Sequence, residues 1–175
     1  LRARDLRLFP VFSEGERSVS NPAEFVQQPT LRAFYVNYLR VECEPLDGVH
    51  VTAHYWVVES HVLAGQFTLA NRDPERRTRS VTVSLAGLLK PLSGGEATEQ
   101  RPTRGAAQNR PLGPSQREEY AVLEGQTGNL NIIIAMEEEA RGDSAPHPLL
   151  TRTVELAPDD TATVRWACSA RPSTA

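Results

Sequence analysis

Alternating apolar and polar residues, turn chemistry at short intervals and a single helix signal predict an all-β fold. The class is an antiparallel β-sandwich, immunoglobulin-like or supersandwich, with eight or nine strands plus one short helix. Alternation is plainest at Tyr38–Glu44, where Leu39, Val41 and Cys43 point one way and Arg40, Glu42 and Glu44 the other. The strands follow one another without crossover helices, which excludes a parallel sheet.

The elements read in order as follows. Leu6–Phe12 is apolar but interrupted by Pro10, as suits an edge strand or an extended arm. Asn21, Pro22 and Glu24 supply a cap, a first-turn proline and a capping-box partner, predicting a helix from Pro22 to Gln28 that Pro29 stops. After Tyr38–Glu44, the run Pro45-Leu46-Asp47-Gly48 is turn chemistry. Strands are expected at Val49–Glu59, at His61–Asn71 and, beyond the turn Asp73-Pro74-Glu75-Arg76, at Val81–Leu89. Residues 93–111 hold no large apolar side chain outside their edges and are expected to form a flexible loop. Strands resume at Glu119–Glu124 and Asn129–Met136, where Ile132-Ile133-Ile134 reads as covered on both faces. A polar loop from Glu137 to His147 leads to a last hairpin, Thr151–Leu156 and Thr161–Ala170, around Ala157-Pro158-Asp159-Asp160.

A length of 175 residues fits one domain, read as a single β-sandwich over 1–175. The start, Leu1-Arg2-Ala3-Arg4-Asp5, carries neither an initiator methionine nor a leader-like apolar core, so the chain is read as a fragment of a longer protein. Net charge is −3, without the basic excess that phosphate neutralisation needs, so no nucleic-acid partner is expected. No apolar run reaches the ~20 residues of a membrane-spanning helix, so no membrane partner is expected either. Two cysteines make no disulfide framework. Cys43 and Cys168 sit on apolar faces and read as buried thiols, with one Cys43–Cys168 bridge as the alternative. This composition leans towards the cytoplasm.

Phosphate-loop, dinucleotide, nucleophile-elbow and zinc patterns are missing, and no cofactor or catalytic residue is assigned. His50 and His54 share a strand face but stand ~13 Å apart along the backbone, too far to share one ion with His61, so no metal site is expected. That face draws attention for another reason. Val49, Val51, Ala53, Tyr55 and Val57 make one apolar side, yet the opposite side carries His50, Thr52, His54, Trp56 and Val58. A water-facing side does not ordinarily hold tryptophan and valine. His50, His54 and Trp56 are therefore the candidate interdomain or ligand-facing surface: covered by a second layer, docked on another domain, or a sugar-stacking platform. Glu137-Glu138-Glu139 reads as a solvated strand end, Arg141-Gly142-Asp143 as a chance tripeptide in a polar loop. Arg76, Arg77 and Arg79 read as surface partners of Asp73 and Glu75.

Three stretches are familiar together. They are Phe12-Ser13-Glu14-Gly15 with Asn21-Pro22-Ala23-Glu24-Phe25, Phe34 and Asn37-Tyr38-Leu39; Leu63-Ala64-Gly65-Gln66-Phe67-Thr68-Leu69-Ala70-Asn71 leading into Arg79–Leu85; and Leu156-Ala157-Pro158-Asp159-Asp160 running into Val164-Arg165-Trp166. This pattern resembles the N-terminal β-sandwich domain of glycogen-debranching-like and six-hairpin (α/α toroid) glycoside hydrolases. In that family the catalytic carboxylates belong to the toroid, so the resemblance carries no catalytic residue over. It implies a non-catalytic accessory module whose partner is a catalytic domain of the same polypeptide, with an oligosaccharide as a second partner. The isolated chain is then expected neither to hydrolyse nor to bind oligosaccharides tightly. The alternative is a stand-alone immunoglobulin-like ligand-binding or adhesion module.

Overall fold

The computed structural model describes residues 5–90, 110–117, 120–127, 130–137, 140–143 and 147–172. They form two antiparallel sheets stacked face to face, as the alternation predicted. The smaller holds β11(Arg141–Asp143), β12(Leu149–Leu156), β7(Arg79–Lys90), β1(Asp5–Glu14) and β2(Arg17–Val19), side by side in that order. The larger runs β3(Gln27–Tyr35), β4(Tyr38–Leu46), β5(Val49–Glu59), β6(Val62–Asn71), β13(Thr161–Pro172), β10(Leu130–Met136), β9(Tyr120–Thr127) and β8(Arg110–Arg117). Phe12, Val83 and Leu85 from one sheet and Val51, Phe67, Leu69, Ile134 and Val164 from the other are buried between them. Phe12 joins the layers, with edge-to-face contacts to Phe67 at 6.0 Å and Phe25 at 6.1 Å.

Thirteen strands are described where eight or nine were expected. The four additional ones, β2, β3, β8 and β11, are the outermost strands of the two sheets. An edge strand has one neighbour and tolerates proline, irregularity and polar residues, so it carries little alternation. Pro29, expected to stop a helix, lies in β3 where the register slips between Gln27 and Thr30. The expected helix Pro22–Gln28 shortens to one 3₁₀ turn, Pro22–Glu24. The Asn21 side chain caps it by accepting from the Ala23 amide at 3.1 Å, but Phe25 then adopts extended backbone and buries its ring against Phe12. Core burial outweighs a short helix that could gain only a turn or two of hydrogen bonds.

Further corrections concern placement. β1 is not an edge strand but lies between β7 and β2; because β2 reaches only Phe12–Glu14, Pro10 still has a single neighbour. Of the expected loop 93–111, residues 93–109 lie outside the described residues, while Arg110 and Pro111 begin β8. Arg141-Gly142-Asp143 is strand β11, paired with Leu149–Thr151, rather than loop. Cys43 and Cys168 are both buried and free, three strand spacings apart, which at ~4.8 Å each exceeds the reach of a disulfide. Burial pushes both thiols up to about 11.

Close approach explains two glycines. Gly48 has φ +71°, and a Cβ there would meet the Asp73 backbone at 3.0 Å. A Cβ on Gly65 would lie 2.3 Å from the Trp166 ring, which occupies the space above β6.

Candidate functional site

The two ends of the sandwich differ in chemistry. At the end where β4 turns into β5, alternation carries polar side chains inward. Asn71 follows Phe67 and Leu69, Glu14 follows Phe12, and Arg79 precedes Val81 and Val83, all in phase with the core. Asn71 is fully buried; its amide donates to the carbonyls of Arg77 at 2.7 Å, Leu156 at 3.0 Å and Ala157 at 3.1 Å, and its oxygen accepts from the Asp73 amide. Arg79, 9% exposed, donates to Glu14 at 2.5 Å through Nε and to the Asp47 carbonyl at 2.9 Å. Arg79 therefore is not the surface residue expected. Asp73 is also buried and binds Arg77 at 2.7 Å, while Arg76 reaches Asp159 at 3.0 Å instead of the expected partners. The Arg77 hydrogen bond holds the Asp73 carboxyl down at about 2, and the Arg79 hydrogen bond lowers Glu14. The Phe-x-Leu-x-Asn run thus ends on a side chain that ties β6, the connection leading into β7 and the end of β12 together.

The opposite end is apolar and open. A five-stranded sheet cannot cover an eight-stranded one, and the corner built by β3–β6 extends past it. Leu31 and Val41, Phe34 and Leu39, and Val57 and Leu63 are cross-strand pairs on the core-facing side of the large sheet. Yet Leu31, Phe34, Val57 and Leu63 are exposed. With Tyr35, Val36 and Val58 they are seven of the ten large apolar side chains exposed among the described residues, and Phe34 is 73% exposed. The corner borders an open hollow of about 220 Å³ lined by Phe34, Leu39, Tyr55, Val57 and Leu63, with Tyr35, Tyr38 and Trp56 also at its wall.

The outward face of the large sheet holds the residues singled out from sequence. Register places Tyr35, Tyr38, Trp56, Ala64, Ala167, Ala135, Val122 and Ser115 in one row across all eight strands. The adjoining row is Ala33, Arg40, His54, Gln66 and Arg165. The Tyr38 hydroxyl and His54 Nδ1 are 2.7 Å apart, and the His54 ring meets Trp56 edge to face at 6.3 Å. Burial, with a contribution from Arg40, lowers the His54 pKa. His50 stands apart, half-exposed, 3.3 Å from Glu44. His61 contacts Ser60 at 2.9 Å. Among the described residues no group of three His, Cys, Asp or Glu could hold a metal ion, and no helix is long and apolar enough to cross a membrane. Glu137, expected as solvated, is half-buried and bridges Arg152 and Arg165; residues 138–139 lie outside the described residues.

Sugar hydrolysis needs a proton donor with a raised carboxyl pKa. Glu14, Glu42 and Asp73 are instead lowered by arginine hydrogen bonds, which suits them to structural ion pairs.

No described protein family matches the chain, and no curated protein does. Solved structures do. One is a polysaccharide lyase, with a TM-score of 0.50 and 10% identity over 95% of this chain and 26% of that one. Another is a protein from the human microbiome described as a kojibiose phosphorylase, with a TM-score of 0.34 and 10% identity over 93% of this chain and 21% of that one. Both are carbohydrate-active enzymes, and the chain spans about a quarter of the lyase's length. The likeness to the lyase is one of fold.

Proposed function

We propose that this chain is a non-catalytic accessory β-sandwich module of a carbohydrate-active enzyme, of the glycogen-debranching-like or α/α-toroid kind. It docks on a catalytic domain of the same polypeptide through the open corner of β3–β6. The observation that carries this is the mismatch of sheets: five strands over eight leave core-facing Leu31, Phe34, Val57 and Leu63 in water. Large contiguous apolar patches of this kind mark interaction surfaces. Covering what remains exposed of these side chains would contribute roughly 1–2 kcal/mol each, a favourable sum for holding two domains together. The carbohydrate link rests on the sequence pattern and on the fold shared with the lyase.

The test compares the isolated chain with the polypeptide its full gene encodes, by amide hydrogen exchange. Tyr35–Leu39 and Val57–Leu63 are expected to exchange faster in the isolated chain than in the longer polypeptide, where they gain protection. Equal exchange in both would remove the docking surface. Glucan hydrolysis by the isolated chain, abolished by one carboxylate substitution, would overturn the non-catalytic assignment.

A further inference from the structure

The outward face of the large sheet adjoins the open corner, whose hollow Tyr35, Tyr38 and Trp56 also border, but it differs in chemistry. Strand alternation separates them: Phe34, Leu39, Tyr55 and Val57 point to the core side, Tyr35, Tyr38 and Trp56 to the other. In the outward row the aromatics come first and small residues follow. Tyr35 and Tyr38 have ring centroids 6.1 Å apart at 32° between planes, and Tyr38 and His54 lie at 5.9 Å. Beyond Trp56 the row continues as Ala64, Ala167 and Ala135, which raise no obstacle across the next three strands. At ~4.8 Å per strand the stretch from Tyr35 to Ala135 is ~24 Å long.

One residue pair along the strands, ~7 Å away, runs the polar row. Its groups are planar and already oriented. Arg40 donates to Glu42 at 2.5 Å, Arg32 donates to the other Glu42 oxygen at 2.7 Å, and the Gln66 amide donates to Thr68 at 3.1 Å, which turns the Gln66 carbonyl into the remaining acceptor. His54 is fixed through Nδ1 by Tyr38. The arginines of this face are in ion pairs: Arg32 and Arg40 share Glu42, and Arg165 meets Glu137, while Glu44 faces His50. A neutral ligand leaves these pairs intact.

We infer that this face is an oligosaccharide platform, on which a neutral gluco-oligosaccharide lies along the Tyr35–Tyr38–Trp56–Ala64–Ala167 row. The flat C–H faces of the sugar rings stack on the aromatics, and the hydroxyls along one edge bond to Arg40, His54 and Gln66. The alanines give the chain a path across the sheet. The platform is open on one side, so it holds its ligand weakly, in keeping with the expectation that the isolated chain does not bind tightly. This inference rests on the reading of the chain as part of a carbohydrate-active enzyme, but it uses a different surface.

The experiment titrates the isolated chain with maltohexaose, cellohexaose and hexagalacturonate, read by tryptophan fluorescence and by amide shifts in NMR spectra. Saturable millimolar binding of at least one glucan is expected, with shifts confined to Tyr35–Glu42, Thr52–Trp56, Ala64–Thr68 and Arg165–Ala167, and weaker binding of the anionic oligomer. Trp56→Ala should lower glucan affinity tenfold or more. Gln66→Ala, a change on a half-exposed surface, should lower it a few-fold without altering the fold. Phe34→Ser, at the open corner, should leave it unchanged. Absence of saturable binding by both glucans, tighter binding of hexagalacturonate, or affinity insensitive to Trp56→Ala and Gln66→Ala would each overturn the platform. Any of these leaves the docking reading to its own hydrogen-exchange test.

Discussion

Strands β5 and β6 carry opposite chemistry at their two ends, ~30 Å apart. At one end Val49 and Asn71 are paired and fully buried, in a polar knot whose buried donors and acceptors are matched within the domain. At the other, Val57 and Leu63 are paired on the same core-facing side and stand in water. The first end is finished by its own side chains; the second leaves core-facing apolar groups in water, and the proposed docking would cover them. Unequal sheets thus give one pair of strands a closed end and an open one.

Removing the Arg79 guanidinium is the strongest way to break this contrast. Arg79→Met leaves Glu14 without its partner and the Asp47 carbonyl without its donor. Loss of one member of a buried pair typically costs ~3–5 kcal/mol, and a fall of that size in urea-unfolding stability is expected. A change below ~1 kcal/mol would mean that the knot does not hold the closed end.

Acid acts more gradually on the same end. Hydrogen bonds from Arg77 and Arg79 hold Asp73 at about 2 and Glu14 below its ordinary value. A carboxylate with a depressed native pKa binds more protons when unfolded, so its contribution is complete above the unfolded pKa and declines as pH falls. Stability should therefore be level above about pH 5 and fall progressively towards pH 2. Arg79→Met should flatten the part of that slope due to Glu14. A pH profile identical in the two proteins would show that the pair does not set acid sensitivity.

The smallest effect on stability belongs to the open corner. Phe34→Ser and Val36→Ser remove side chains that the isolated chain leaves in water, so unfolding stability should change by no more than ~0.5 kcal/mol. Their effect should be on association instead: a lower tendency of the isolated chain to self-associate, measured by sedimentation. A stability loss of 2 kcal/mol or more would place these residues in the core and erase the contrast between the ends.

Legibility in the sequence followed the number of neighbours each strand has. The nine expected strands are present as β1, β4, β5, β6, β7, β9, β10, β12 and β13. Most have a partner on both sides and a buried face, which forces apolar residues into a period of two. The four that escaped notice, β2, β3, β8 and β11, are edges, where Pro29, Pro114 and Gly142 are tolerated. On the proposed platform, His54 and Trp56 stand out in the sequence because their strand has apolar residues on the side opposite its core face. Arg79 was misread, although its phase with Val81, Val83 and Leu85 placed it on the core side; proximity to Asp73 in sequence suggested a surface pair. Nothing in the sequence links Tyr38 or Gln66 to His54, because only cross-strand register brings them beside it.

The amino-acid order by itself determined the local facts: which residues extend, which face of each strand is apolar, and where the chain turns. These follow from side-chain chemistry acting over a few neighbours. Which strands become edges, how far one sheet overhangs the other, and which rows of side chains line up across eight strands were decided only in the tertiary structure. They depend on pairings between residues distant in sequence, such as Thr68 with Thr163, and no local period encodes them.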